Sequence, residues 1–122
     1  MDKLFLIQSI EDTENGFSVQ LLCNSSHAIY KAHFPGNPIT PGACLLQTAG
    51  EVLQQKLGRP LYLKTAKNIK YLSLLVPEEH KTVTFSYSKL FENETECSVR
   101  LVIVDESSVY SKMSLTFRYE PL

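Results

Sequence analysis

Three prolines at a spacing of three, Pro35, Pro38 and Pro41, run through the segment His33-Phe34-Pro35-Gly36-Asn37-Pro38-Ile39-Thr40-Pro41-Gly42. A proline fixes φ and has no N–H to donate, so this stretch can be neither a helix interior nor a central strand. It divides the chain into parts with different periods. Behind it a helix is predicted to begin near Thr40, since Thr suits an N-cap and Pro41 the first helical turn. Leu45, Leu46, Ala49, Val52, Leu53 and Leu57 keep a helical period, while Gln47, Glu51, Gln54 and Gln55 gather towards the other side. Gly58-Arg59-Pro60 is a stop signal.

On both sides of that helix the period falls to two. Leu4–Ile10 is an apolar run, Asn15-Gly16 reads as a tight turn, and Phe17, Val19 and Leu21 form a hairpin partner strand. Beyond the helix, Leu61–Leu75 is expected to contain one long strand with an irregularity. Val83, Phe85 and Tyr87 alternate with polar neighbours, as do Val99, Leu101 and Ile103. So do Val109, Ser111, Met113, Leu115, Phe117 and Tyr119. Strict alternation predicts an antiparallel sheet with one buried and one wetter face. A helix of about 17 residues is the natural cover for the buried face. The expected class is α+β: a curved antiparallel sheet around one central helix, as a single domain over residues 1–122.

At 122 residues and 43% hydrophobic, the chain can bury a core without disulfides or a structural metal. A net charge of −1 argues against a generally basic nucleic-acid binder. No apolar run reaches the ~18 residues of a membrane span, and Leu4–Ile7 is too short for a signal peptide. Cys23, Cys44 and Cys97 are widely spaced, with no CxxC pair and no metal pattern. Reduced thiols in a cytoplasm are the expectation, with Cys44 as a packing residue. His27 and His80 read as surface or turn residues.

The segment from His33 to Gly42 resembles the signature of the 3-hydroxyacyl-acyl-carrier-protein dehydratases: His-Phe-Pro-Gly, a further Pro, then Pro-Gly opening the central helix. Asn68–Pro77 resembles that family's later strand, with Glu78-Glu79 where the family has Gly-Asp. The resemblance implies the hotdog fold and elimination of water from 3-hydroxyacyl thioesters, with no cofactor and no metal. It implies His33 as the base and the Gly42 N–H as donor to the thioester oxygen, with Phe34, Pro41 and Ala43 beside the substrate. The chemistry suits those types. An imidazole titrates near neutrality and can take a proton from carbon. A helix N-terminus offers unpaired N–H groups where oxygen charge develops.

The family places a Glu or Asp fourteen residues after the His, on the central helix, and here that position is Gln47. An amide can hold a hydroxyl but cannot deliver a proton. Ala32 also stands where the family usually has Gly. Three readings remain. His33 shuttles the proton while Gln47 orients the hydroxyl; or Glu51, one turn on along the same face, takes the role; or the protein hydrolyses acyl thioesters through Glu51, or binds them without catalysis.

Charge is unevenly spread. From Val52 to Pro77 there is no acidic residue, yet Lys56, Arg59, Lys64, Lys67 and Lys70 all occur, whereas the first turns of chain hold Asp2, Glu11, Asp12 and Glu14. Such a stretch can dock an acidic partner. The resemblance implies an acyl carrier protein bearing an acyl-phosphopantetheine, in fatty-acid or related polyene or lipid biosynthesis. It also implies a homodimer, with His33 facing Gln47 and Glu51 of the partner. A higher oligomer, or a heterodimer with a subunit that carries the missing acid, is the variant.

Overall fold

The computed structural model describes residues 3–32, 36 and 38–121. In chain order it contains β1 (Phe5–Thr13), β2 (Gly16–Cys23), a short α1 (Ile29–Ala32), α2 (Gly42–Leu57), β3 (Leu61–Tyr71), β4 (Thr82–Glu92), β5 (Glu96–Val104) and β6 (Val109–Tyr119). The strands form one antiparallel sheet in the order β1-β2-β4-β5-β6-β3. This is the α+β layout expected from the two periods, and it is the hotdog fold that the resemblance implies. The alternating residues of β2, β4, β5 and β6 turn one face to α2. Phe17, Val19, Leu21, Phe85, Leu101 and Met113 are buried there against Leu45, Ala49, Val52 and Leu53. Truncating a buried side chain of that size to Ala costs about 2–5 kcal/mol.

Two directed contacts fix the helix on the sheet. Tyr87 Oη, deep in the core, donates to the carbonyl of Ala49 at 2.8 Å. The Tyr87 ring also stacks on Phe17 with centroids 4.4 Å apart. At its far end α2 closes on Gly58, whose φ of 71° lies in the left-handed region that favours glycine. The Gly58 N–H donates to Gln54 O at 2.9 Å. The Gln54 side chain accepts from the Leu61 N–H at 3.2 Å, so the stop signal also sets the entry into β3.

One expectation needs correcting. Thr13 pairs with Gly16, so the first hairpin turns on Glu14 and Asn15, and neither Asn15 nor Gly16 adopts positive φ. Gly16 is required for another reason: a Cβ there would fall 2.0 Å from the carbonyl oxygen of Tyr87 on the neighbouring strand. The long strand expected within Leu61–Leu75 runs from Leu61 to Tyr71, and its irregularity is double. Its register against β6 shifts between Leu63 and Thr65 and again between Lys67 and Lys70, where Asn68 takes a φ of 54°. Each shift inserts one extra residue, a β-bulge.

β3 is an edge of the sheet, and it is the more exposed one. Tyr62, Ile69 and Tyr71 on it, with Leu72 and Leu74 just beyond, are large apolar side chains left open.

Candidate functional site

The start of α2 differs from what the sequence suggested. Thr40 is not the N-cap. Its Oγ1 is engaged with Tyr30 Oη at 2.9 Å in a buried contact, and its N–H donates to Leu75 O at 2.8 Å. Tyr30, brought in by α1, is buried and needs a partner for its hydroxyl. The cap position falls to Pro41, in extended conformation (φ −62°, ψ 144°), which has no side-chain acceptor to offer. Cys44 and Leu45 both donate to the carbonyl of Pro41, at 3.0 and 3.2 Å. No acceptor among the described residues faces the N–H groups of Gly42 and Ala43. The first turn carries no acidic side chain. The helix therefore presents two unpaired donors and the positive end of its dipole.

Along the same helix Gln47 and Glu51 form an exposed ridge, four residues apart and so on one face. A groove runs along each side. The first, of about 430 Å³, lies towards β1 and is lined by Leu4, Phe5, Ile7, His27, Cys44 and Val52. The second, of about 340 Å³, lies towards β3, over Leu46, Gly50 and Phe117, with Ala43 and Leu63 at its sides. Gln47 and Glu51 border both. The structure thus gathers Pro41, Gly42, Ala43, Gln47 and Glu51 on the first three turns of one helix. His33 and Phe34 lie outside the described residues. One residue the sequence did not single out stands at the same place: the ring of Tyr71, at the end of β3, packs against Gly42. Period-two reading could not find it, because the bulges of β3 break the period.

The basic stretch is not uniformly open. Lys56 pairs with Asp12 at 2.7 Å, so part of the charge asymmetry is neutralised within the fold. Lys64 pairs with Glu96. The Arg59 guanidinium lies 3.6 Å from the centroid of the Tyr119 ring. Lys67 and Lys70 are exposed on β3 and enter no ion pair among the described residues. Lys70 also sits opposite Lys112 of β6, which concentrates positive charge on that edge.

Other titratable groups have structural settings. Burial pushes the thiols of Cys23 and Cys97 up to about 11, and it pushes Cys44 upward as well. None is a ready thiolate nucleophile at neutral pH. His27 Nδ1 accepts from the Ile29 N–H at 3.1 Å, at the start of α1. His80 is exposed in a turn, with a φ of 63°. Asp105 closes the β5–β6 turn. Desolvation works to raise its pKa, but hydrogen bonds from Tyr110 Oη, from the N–H groups of Ser107 and Ser108, and from Ser107 Oγ outweigh it and hold the carboxyl at about 2. Among the described residues no three His, Cys, Asp or Glu side chains gather as a metal site. None of the described helices is long and apolar enough to cross a membrane.

No curated protein matches the chain. Solved structures do, at identities that speak for the fold alone. The chain resembles a structure of the dehydratase heterocomplex ApeI:P from Xenorhabdus doucetiae, with a TM-score of 0.73 at 16% identity, over 93% of this chain and 97% of that one. A hypothetical thioesterase from Streptococcus pneumoniae, solved with coenzyme A, matches with a TM-score of 0.60 at 18% identity, over 95% of this chain and 85% of that one. The Streptococcus mutans protein smu.793, bound to acetyl-CoA, matches with a TM-score of 0.61 at 12% identity, over 98% and 91%. All share the sheet-around-helix layout. At the level of sequence, the family model for ApeI dehydratase matches residues 9–114, nearly the whole sheet and all of α2, and the chain belongs to this ApeI-like dehydratase family.

Proposed function

We propose that this single hotdog domain, residues 1–122, dehydrates 3-hydroxyacyl thioesters presented on the phosphopantetheine arm of an acyl carrier protein. The setting is cytoplasmic fatty-acid or related polyene or lipid biosynthesis. The observation that supports this reading is the His33–Gly42 motif leading into a helix start whose Gly42 N–H has no acceptor among the described residues, in a chain of the ApeI-like dehydratase family.

His33 takes the proton from C2 of the substrate. Charge moving onto the thioester oxygen is met by the Gly42 N–H, helped by the helix dipole. The C3–O bond then breaks, the C2=C3 double bond forms, and the hydroxide leaves as water with one proton. Gln47 holds the departing hydroxyl, and His33 returns the proton it took. Phe34, Pro41 and Ala43 flank the acyl group. Glu51, next along the ridge, is the alternative proton donor. A partner subunit is the other source of an acid. The exposed apolar edge of β3 suits pairing with a second hotdog chain, as a homodimer or with a non-identical subunit. The ApeI structure described above is itself a heterocomplex, which favours trying the second form. Lys67 and Lys70 are the basic residues best exposed to meet the carrier protein.

One incubation tests the reading. With a 3-hydroxyacyl carrier-protein thioester, an enoyl product at the rate of consumption is expected, and His33→Ala abolishes it. Free thiol instead of enoyl product favours hydrolysis through Glu51, a reading that its exposed position between the two grooves allows. Binding with neither product favours a non-catalytic acyl-binding subunit. Gln47→Glu should raise the dehydration rate, and a loss as deep as that of His33→Ala removes Gln47 from the hydroxyl. Light scattering, alone and with candidate hotdog subunits, reports whether β3 pairs.

A further inference from the structure

We infer that Tyr71 supplies a second hydrogen bond to the substrate's thioester oxygen, beside the Gly42 N–H; this rests on the dehydratase reading above.

The argument begins in the irregularity of β3. Residues directly opposite each other in an antiparallel pair share a face of the sheet. Leu61, Leu63, Ala66 and Tyr71 stand opposite Tyr119, Phe117, Leu115 and Ser111 of β6, and all four of those β6 residues are buried on the helix side. Leu61, Leu63, Ala66 and Tyr71 therefore face α2. Counted by twos from Ala66, that face would next take Asn68 and Lys70, and Tyr71 would point away. The extra residue inserted between Lys67 and Lys70, with Asn68 at a φ of 54°, reverses the parity and turns Tyr71 inward. Ser111 secures this register, since its Oγ donates to the carbonyl of Lys70 at 2.9 Å. Asn is among the few non-glycine residues that readily adopt left-handed φ, and bulges of this kind recur where a side chain is re-aimed.

The place it is aimed at is the start of α2. A Cβ on Gly42 would fall 2.5 Å from Tyr71 Cζ and 2.7 Å from Tyr71 Oη. The phenol hydroxyl thus sits at the flank of the residue whose N–H is unpaired, and Gly42 is glycine because any side chain would push the ring off. Tyr71 keeps 55% of its surface exposed, and no hydrogen bond among the described residues engages its hydroxyl. A ring held in place with its donor uncommitted, next to an uncommitted N–H, makes a two-donor arrangement for one oxygen. Preorganised donors of this kind act on charge that develops in the transition state. The hydroxyl moves no proton in this role: it donates one hydrogen bond and keeps its hydrogen.

Tyr71→Phe removes the hydroxyl and keeps the ring. The proposal has two readouts. In steady-state dehydration of a 3-hydroxyacyl thioester, Tyr71→Phe is expected to lower kcat by about 10²-fold with KM within a few-fold, as for loss of one oxyanion donor. In infrared difference spectra of a bound saturated acyl-pantetheine with a ¹³C-labelled carbonyl, which cannot be dehydrated, the wild-type protein should lower the carbonyl stretch and Tyr71→Phe should restore part of the shift. An unchanged stretch and unchanged kcat in Tyr71→Phe overturn the proposal. So does a wild-type carbonyl that is not shifted at all. A rise in kcat/KM for Tyr71→Ala also overturns it, because the ring would then be a plug. If the wild-type protein forms no enoyl product yet Tyr71→Phe still loses the carbonyl shift, the hydrogen bond stands and the dehydratase reading is the part that fails.

Discussion

The two ends of α2 are built on opposite plans. At its C-terminus every device that closes a helix is present: a left-handed Gly58, an N–H returned to Gln54 O, and a glutamine side chain that picks up the first N–H of β3. At its N-terminus no such device appears among the described residues. Thr40 spends its hydroxyl on Tyr30, Pro41 has nothing to give, and no acidic residue enters the first turn. Helix ends leave backbone groups without partners, and proteins normally satisfy them. The difference separates an end that is closed for stability from an end whose donors stay open among the described residues.

Four experiments break or sharpen that contrast. The largest effect is expected at the proposed base: His33→Ala should reduce dehydration by about 10²–10⁴-fold with an unchanged thermal midpoint, since its proposed role is proton transfer. Closing the open end comes next. Pro41→Asp keeps the cap position but adds an acceptor for the first-turn N–H groups. It should raise stability by about 1 kcal/mol in urea titration and lower turnover by at least about tenfold. A gain in stability with full turnover would show that those donors are not used.

The converse change, Gly58→Ala at the closed end, should cost about 1 kcal/mol through the left-handed φ and leave kcat/KM alone. The smallest effect lies at another fully satisfied place, Asp105. Its folded pKa of about 2 is below the ordinary carboxylate value of roughly 3.9. The charged form therefore contributes stability that is complete above the unfolded value and is lost as pH falls through the folded one. Urea midpoints measured from pH 5 down to pH 2 should separate wild type from Asp105→Asn at the upper end and converge at the lower. Parallel curves would mean the carboxylate adds nothing.

Much of this was legible in the residues. Alternation located the sheet's buried faces because the sheet has only one buried side, and the proline spacing located the entry to α2 because proline excludes the alternatives. What escaped the sequence depended on distant partners. Thr40 looks like a cap until Tyr30, ten residues earlier, takes its hydroxyl in a buried contact. Gly16 looks like a turn residue, yet the carbonyl of Tyr87 is what forbids a side chain there. Tyr71 was hidden because a single inserted residue reverses which face a strand residue occupies. The ridge of Gln47 and Glu51 was visible from helical spacing; the two grooves beside it are products of tertiary packing. Of the basic stretch, the count was readable but not its engagement: Lys56, Arg59 and Lys64 have partners on other elements.

The doubled interruption of β3 has one more consequence. A flat, uninterrupted edge recruits any extended chain and can propagate into fibres. An edge whose hydrogen-bonding rhythm is broken between Leu63 and Thr65, and again between Lys67 and Lys70, offers only short regular stretches. It resists indiscriminate templating while keeping its greasy side chains available, and it favours a mate whose own contour fills the notches.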